Sequence, residues 1–143
     1  MPRNSVKPRR IRNAAHRSSA IAWHSTAYIV TVMGAVLRST PLDALDLLIT
    51  LAISAKNGDG AQMPRGVSRN AVSRTLNVPL ETVRRRVALL LKKRVIAERT
   101  GGLVVPADAP LGRLPNNAEL LAFNAQTVRQ LFADLKAKGV RLD

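Results

Sequence analysis

Residues 77–94 read NVPLETVRRRVALLLKKR. Seven of these eighteen side chains are ionisable, and six of the seven are Arg or Lys. A surface helix that served only solubility would mix its signs. On a helical wheel Leu80, Val83, Val87, Leu90 and Leu91 gather on one side. Glu81, Arg85, Ala88 and Lys92 line the opposite side at i, i+4, i+7 and i+11, with Thr82 and Arg84 bordering them. An aliphatic stripe thus holds the helix while a row of hydrogen-bonding side chains points outward. Ala88, small and central in that row, lets the helix come close to a surface such as a groove floor.

The segments on either side follow a definite order. Ser68 suits the cap of a helix over 69–76, with Ala71, Val72 and Leu76 inward. Asn77 tolerates the left-handed backbone of a tight turn, and Pro79 opens the helix 79–93. The run VIAERTGGLVVP then gives two β-rich stretches around Gly101-Gly102, a hairpin over 95–105. Upstream, Thr40 and Pro41 read as the cap and first residue of a helix. In it Asp43, Asp46, Thr50 and Ser54 form one narrow stripe on an otherwise apolar surface. This is a central core helix, ended by Asn57-Gly58-Asp59-Gly60.

The outermost pieces complete the plan. Residues 1–13 are basic, polar and Pro-containing, and read as a disordered arm. Residues 14–39 read as a long helix in which Ile21, Tyr28, Val32, Ala35 and Val36 recur at helical spacing. A helix that is apolar nearly all round must be covered from several directions, and a second subunit does this in a small chain. Pro106, Pro110 and Pro115 mark a connector. A last helix runs from Asn117 to Lys138 and is stopped by Gly139. Its Leu121, Val128 and Leu135 repeat every seven residues, with Ala125 and Phe132 beside them. The expected fold is mainly α with a small β-hairpin. Its parts are an arm (1–13), an N-terminal dimerisation helix (14–39), a helix-turn-helix with its hairpin (40–106), and a linker with a C-terminal dimerisation helix (107–143).

Composition narrows the function. The chain has 143 residues, a net charge of +14, 46% hydrophobic residues and 3% aromatics. That length fits one domain with a core of Leu, Val, Ile and Ala. The charge points first to nucleic acid and second to an anionic membrane surface. There are no cysteines, so disulfides, Cys-ligated zinc and thiol switches are excluded. His16 and His24 lie far in sequence from the first carboxylate, Asp43, so no metal site is expected. No paired carboxylates, Ser-His-Asp set or phosphate-binding Gly loop is present, so neither an enzyme nor a cofactor is expected. A basic start followed by AIAWHSTAYIVTVMGAVL has the order of a targeting sequence. The apolar run is too long for a usual signal core, is broken by His24, Ser25 and Thr26, and falls short of the ~20 residues of a membrane span. The expectation is a cytoplasmic, nucleoid-associated protein with no membrane partner.

The run SRNAVSRTLNVPLETVRRRVALLLKKRVI resembles the winged helix-turn-helix of bacterial transcription regulators. Its L-x-V-P-x-E-T-V-R-R core is similar to the recognition helices of the GntR and catabolite-activator types. The resemblance covers residues 42–106. Asn77 stands where Gly is common, and Leu80 where the catabolite-activator pattern often has Arg, which leaves base preference open. The flanking helices resemble the MarR-type arrangement, in which terminal helices build a dimer and leave room for a small-molecule effector. The resemblance implies a homodimeric, sequence-specific regulator bound to double-stranded DNA. Glu81, Thr82 and Arg85 would read bases. Arg69, Arg74, Arg84, Arg86, Lys92, Lys93 and, from the hairpin, Arg99 would meet the DNA backbone. Arg9, Arg10 and Arg12 of the arm would trail along a groove. The alternatives are a plasmid or phage replication or partition protein on the same fold, and a membrane-associated or exported basic protein.

Overall fold

A computed structural model of the chain describes residues 8–58, 64–109 and 118–141. It is mainly helical, with one two-stranded antiparallel sheet. The elements are α1 (Pro8–Ser39), α2 (Ala44–Asn57), α3 (Arg69–Leu76), α4 (Leu80–Lys92), β1 (Ala97–Arg99), β2 (Gly102–Val104) and α5 (Ala118–Ala137). They fall into two compact units, one of Met1–Ala35 with Ala122–Asp143, the other of Val36–Leu121.

In the Val36–Leu121 unit, α2 packs against α3, α4 and β2. Leu47, Ile49 and Ile53 of α2 are fully buried with Val72, Val83, Val87, Leu90 and Leu103. Each such side chain contributes about 1.5–3 kcal/mol relative to leaving it in water, so the aliphatic stripe of α4 is what fixes that helix. The start of α2 differs from expectation. Asp43, not Thr40, is its cap: the Asp43 backbone is extended, and its carboxylate accepts the Asp46 N–H at 2.9 Å. Thr40 Oγ1 is buried and makes no hydrogen bond among the described residues. The polar stripe of α2 also turns partly inward. Asp46 is 3% exposed and Thr50 0%, and the Thr50 hydroxyl donates to the Asp46 carbonyl.

The connection between α3 and α4 follows from local chemistry. Ser68 caps α3 by accepting the Ala71 N–H. Asn77 ends it in the left-handed region, at φ 51 and ψ 42, and its N–H donates to the Ser73 carbonyl. Ser73 Oγ then donates to the Val78 carbonyl at 2.7 Å. Pro79, extended, leads into α4. After α4 the strands pair with Ala97 opposite Val104, Glu98 opposite Leu103 and Arg99 opposite Gly102. The free edge of β2 meets Val67, which exchanges two backbone hydrogen bonds with Leu103 at 2.9 and 2.8 Å. Gly66 lies so close to the hairpin tip that a Cβ there would collide with the Gly101 backbone.

In the other unit α1 begins at Pro8, so residues 8–13 are helical rather than part of a disordered arm. Proline needs no N–H partner in a first turn, and Arg and Ala favour the helix after it. Residues 1–7 and the side chains of Arg9, Arg10 and Arg12 lie outside the described residues. The helix is also longer than the apolar run suggested: Asn13–Ser39 is long and apolar enough to cross a membrane, by length and composition alone. Toward α5 it presents His24, whose Nδ1 lies 3.6 Å from Asp134 Oδ2, and Tyr28, whose hydroxyl donates to Asn124 at 3.1 Å. These pairs turn the Phe123, Thr127, Gln130 and Leu131 side of α5 to α1, where they line a cavity. The heptad seam read from the sequence is only partly covered. Leu135 is buried, Ala125 is exposed and Phe132 is 52% exposed.

Candidate nucleic-acid interface

The outward face of α4 carries Glu81, Arg84, Arg85, Ala88 and Lys92, all exposed, with Thr82 half-buried at its border. Glu81 lies between two arginines, 3.7 Å from Arg84 and 3.9 Å from Arg85. The Arg85 side chain is 78% exposed, so these ion pairs are long and screened by water. Pairs of this kind are worth little, and the two guanidiniums stay available to a partner. Arg74 near the end of α3, Lys92 and Lys93 at the end of α4, and Arg99 beside the hairpin tip are exposed as well. Among the described residues no carboxylate pairs with these four.

Two of the expected backbone-binding residues are engaged inside the domain. Arg69 forks onto Glu98 of β1, with its two terminal nitrogens 2.8 and 3.1 Å from the two carboxylate oxygens. That hydrogen-bonded pair raises the Arg69 pKa and holds Glu98 below the usual carboxylate range. Arg86 bonds Asp43 and reaches Asp46 at 3.3 Å. The Asp43 carboxyl is lowered first by the Asp46 N–H it accepts, then by its hydrogen bond from Arg86. The third arginine of the RRR triplet therefore ties α4 to the start of α2, while the first two face outward.

Asn57, which in sequence looks only like the first residue of a turn, braces the domain. Its Nδ2 donates to the carbonyls of Arg65 and Leu103, and its Oδ1 accepts the Val105 N–H at 3.0 Å. One buried amide thus joins the end of α2, the approach to α3 and β2. The hairpin that carries Arg99 is held by Asn57, by Val67 and by the Arg69–Glu98 fork. Among the described residues no group of His, Cys, Asp and Glu is arranged to hold a metal ion. Comparison of the chain with protein-family models, with curated proteins and with solved structures finds no match.

Proposed function

We propose that residues 40–106 form a winged helix-turn-helix that reads double-stranded DNA, with α4 in the major groove and the β-hairpin on the backbone or in the minor groove. The observation that carries this is the outward face of α4. There Glu81, Arg84, Arg85 and Lys92 surround Ala88 on a helix whose other side is pinned by the buried Val83, Val87 and Leu90. Arg85 can bond the O6 and N7 of guanine together, and Glu81 can accept from the cytosine amino group. Thr82 meets a thymine methyl or a phosphate. Arg74, Arg84, Lys92, Lys93 and Arg99 neutralise phosphates. Arg69 and Arg86 act from behind, by holding the hairpin and α4 in place.

The protein works as a two-fold dimer through its terminal helices, with half-sites about one DNA turn apart, and serves as a cytoplasmic transcription regulator. A replication or partition protein would use the same contacts to a different end. A small-molecule effector would sit in the cavity lined by His24, Tyr28, Phe123 and Asp134. A second reading, a membrane-associated basic protein, is favoured by the open apolar surface of α1, but it leaves the face of α4 without a purpose.

Selection of bound duplexes from a random pool at physiological salt tests the proposal. An enriched inverted repeat is the expected result. Arg85→Ala should then lose preference at one base step and cost roughly 1–3 kcal/mol on the best site. An equal loss on all sequences would remove Arg85 from base reading. Absence of binding would overturn the proposal.

A further inference from the structure

One side of α1 is uncovered. Trp23 is 75% exposed, Val30 66% and Ile29 57%, and only 11% of the helix's most apolar stretch is buried. Single exposed hydrophobes are ordinary, but Trp23 and Val30 belong to one groove along the helix, whose lining includes Ser19, Ala22 and Thr26. Those three residues follow each other at i, i+3 and i+7. They are small, and the Thr26 hydroxyl is already satisfied, donating to the Ala22 carbonyl at 2.8 Å. The groove therefore has a small, internally bonded floor and large apolar rims.

Its occupant follows from what surrounds it. Another side of α1 is joined to α5 through His24–Asp134 and Tyr28–Asn124. The α5 helix also carries Glu119, Arg129 and Lys136. Sinking α1 into lipid would break those pairs or drag charged groups in with them, which is costly. A protein surface is the better cover. Residues 8–39 contain no acid, with Arg9, Arg10, Arg12 and Arg17 toward one end and Arg38 at the other. A parallel partner of the same kind would stack the basic ends. An antiparallel one separates the two four-arginine ends and sets each of these beside the negative end of the other helix's dipole, where the single Arg38 lies. We propose that a second copy of this chain docks in the groove, α1 against α1 and antiparallel, with Ala22 of one copy facing Thr26 of the other. This rests on the two-copy part of the reading above and needs nothing from the DNA-binding part.

The chain has no cysteine and a single tryptophan, so both features report without background. The Ala22→Cys and Thr26→Cys proteins, mixed and mildly oxidised, should form the mixed disulfide in preference to either self-pair. Sedimentation of the unmodified protein should give a dimer, and Trp23 emission should shift to the blue as concentration rises. Trp23→Ala should weaken the dimer roughly 30-fold or more, as loss of a central aromatic anchor does. Self-paired disulfides, or a dimer that does not cross-link at these positions, would overturn the proposal. So would a monomer whose Trp23 emission shifts only on adding vesicles of anionic phospholipid. A monomer that still enriches a single half-site in the DNA selection would sink this inference and leave the DNA reading standing.

Discussion

Asp43 uses one carboxylate for two purposes: it accepts the Asp46 amide at the start of α2 and receives Arg86 from α4. Both interactions favour the ionised form, so its pKa lies below that of an ordinary aspartate. A folded-state pKa below the unfolded one adds stability above the unfolded pKa, and this is lost as pH falls through the folded value. Asp43→Asn keeps an oxygen for the cap and removes the charge. Thermal unfolding should find it less stable than the parent at pH 7, with the gap closing in acid below the ordinary carboxylate range. A gap that persisted there would deny the charge any part. Asn77 presents a different constraint, a left-handed backbone at φ 51. That region costs most side chains about 1–2 kcal/mol, and Gly nothing. Urea titration should show Asn77→Gly at least as stable as the parent and Asn77→Ala weaker by about 1 kcal/mol. Asn77 was legible in the sequence because its reason is local, a residue type and its own φ. Arg86 was not, because its partners Asp46 and Asp43 lie 40 and 43 residues upstream. Nothing within RRR marks the third arginine except its place on the flank of the helical wheel.

At the scale of elements, the hairpin is the piece that cannot stand alone. Its strands have three residues each, and an isolated pair of strands is marginal in water. It stays in place because Val67 pairs with the outer edge of β2, Asn57 bonds both Leu103 and Val105, and Arg69 forks onto Glu98. Asn57→Ala removes partners from the half-buried Val105 N–H and from the carbonyls of Arg65 and Leu103. It should cost about 2–3 kcal/mol, and amide exchange should show residues 97–105 losing protection before the helices do. If protection fell evenly through the domain, Asn57 would be an ordinary core residue and not the hairpin's brace. Gly101-Gly102 between two β-rich runs made the hairpin readable. Its brace was hidden, since Asn57 sits at the end of a helix 46 residues before Leu103 and looks like turn chemistry. The rotation of α5 was hidden for a related reason. The seven-residue repeat of Leu121, Val128 and Leu135 marks the more apolar side, whereas the polar pairs of Asn124 and Asp134 with α1 choose which side faces it.

For the whole molecule the question is how a surplus of 23 basic over 9 acidic residues is distributed. Within the Val36–Leu121 unit four acids hold fixed positions. Asp43 and Asp46 take Arg86, Glu98 takes Arg69, and Glu81 sits loosely between Arg84 and Arg85. The arginines so taken brace the domain. Arg74, Lys92, Lys93 and Arg99 remain exposed without a carboxylate partner among the described residues. Counterion release makes this division measurable, because each phosphate contact adds about 0.9 to the slope of log K against log salt concentration. Lys92→Ala and Lys93→Ala should each lower that slope by about 0.9 for every contact removed and leave unfolding unchanged. Arg69→Ala should do the reverse: it loosens the hairpin, lowers affinity at every salt concentration alike, and keeps the slope. Fluorescence anisotropy on the selected duplex across a salt series reads all three variants. A slope that fell as far for Arg69→Ala as for Lys92→Ala would mean that Arg69 leaves Glu98 for a phosphate in the complex. The fork would then be a feature of the free protein alone, and Arg69 would join the residues proposed to contact DNA.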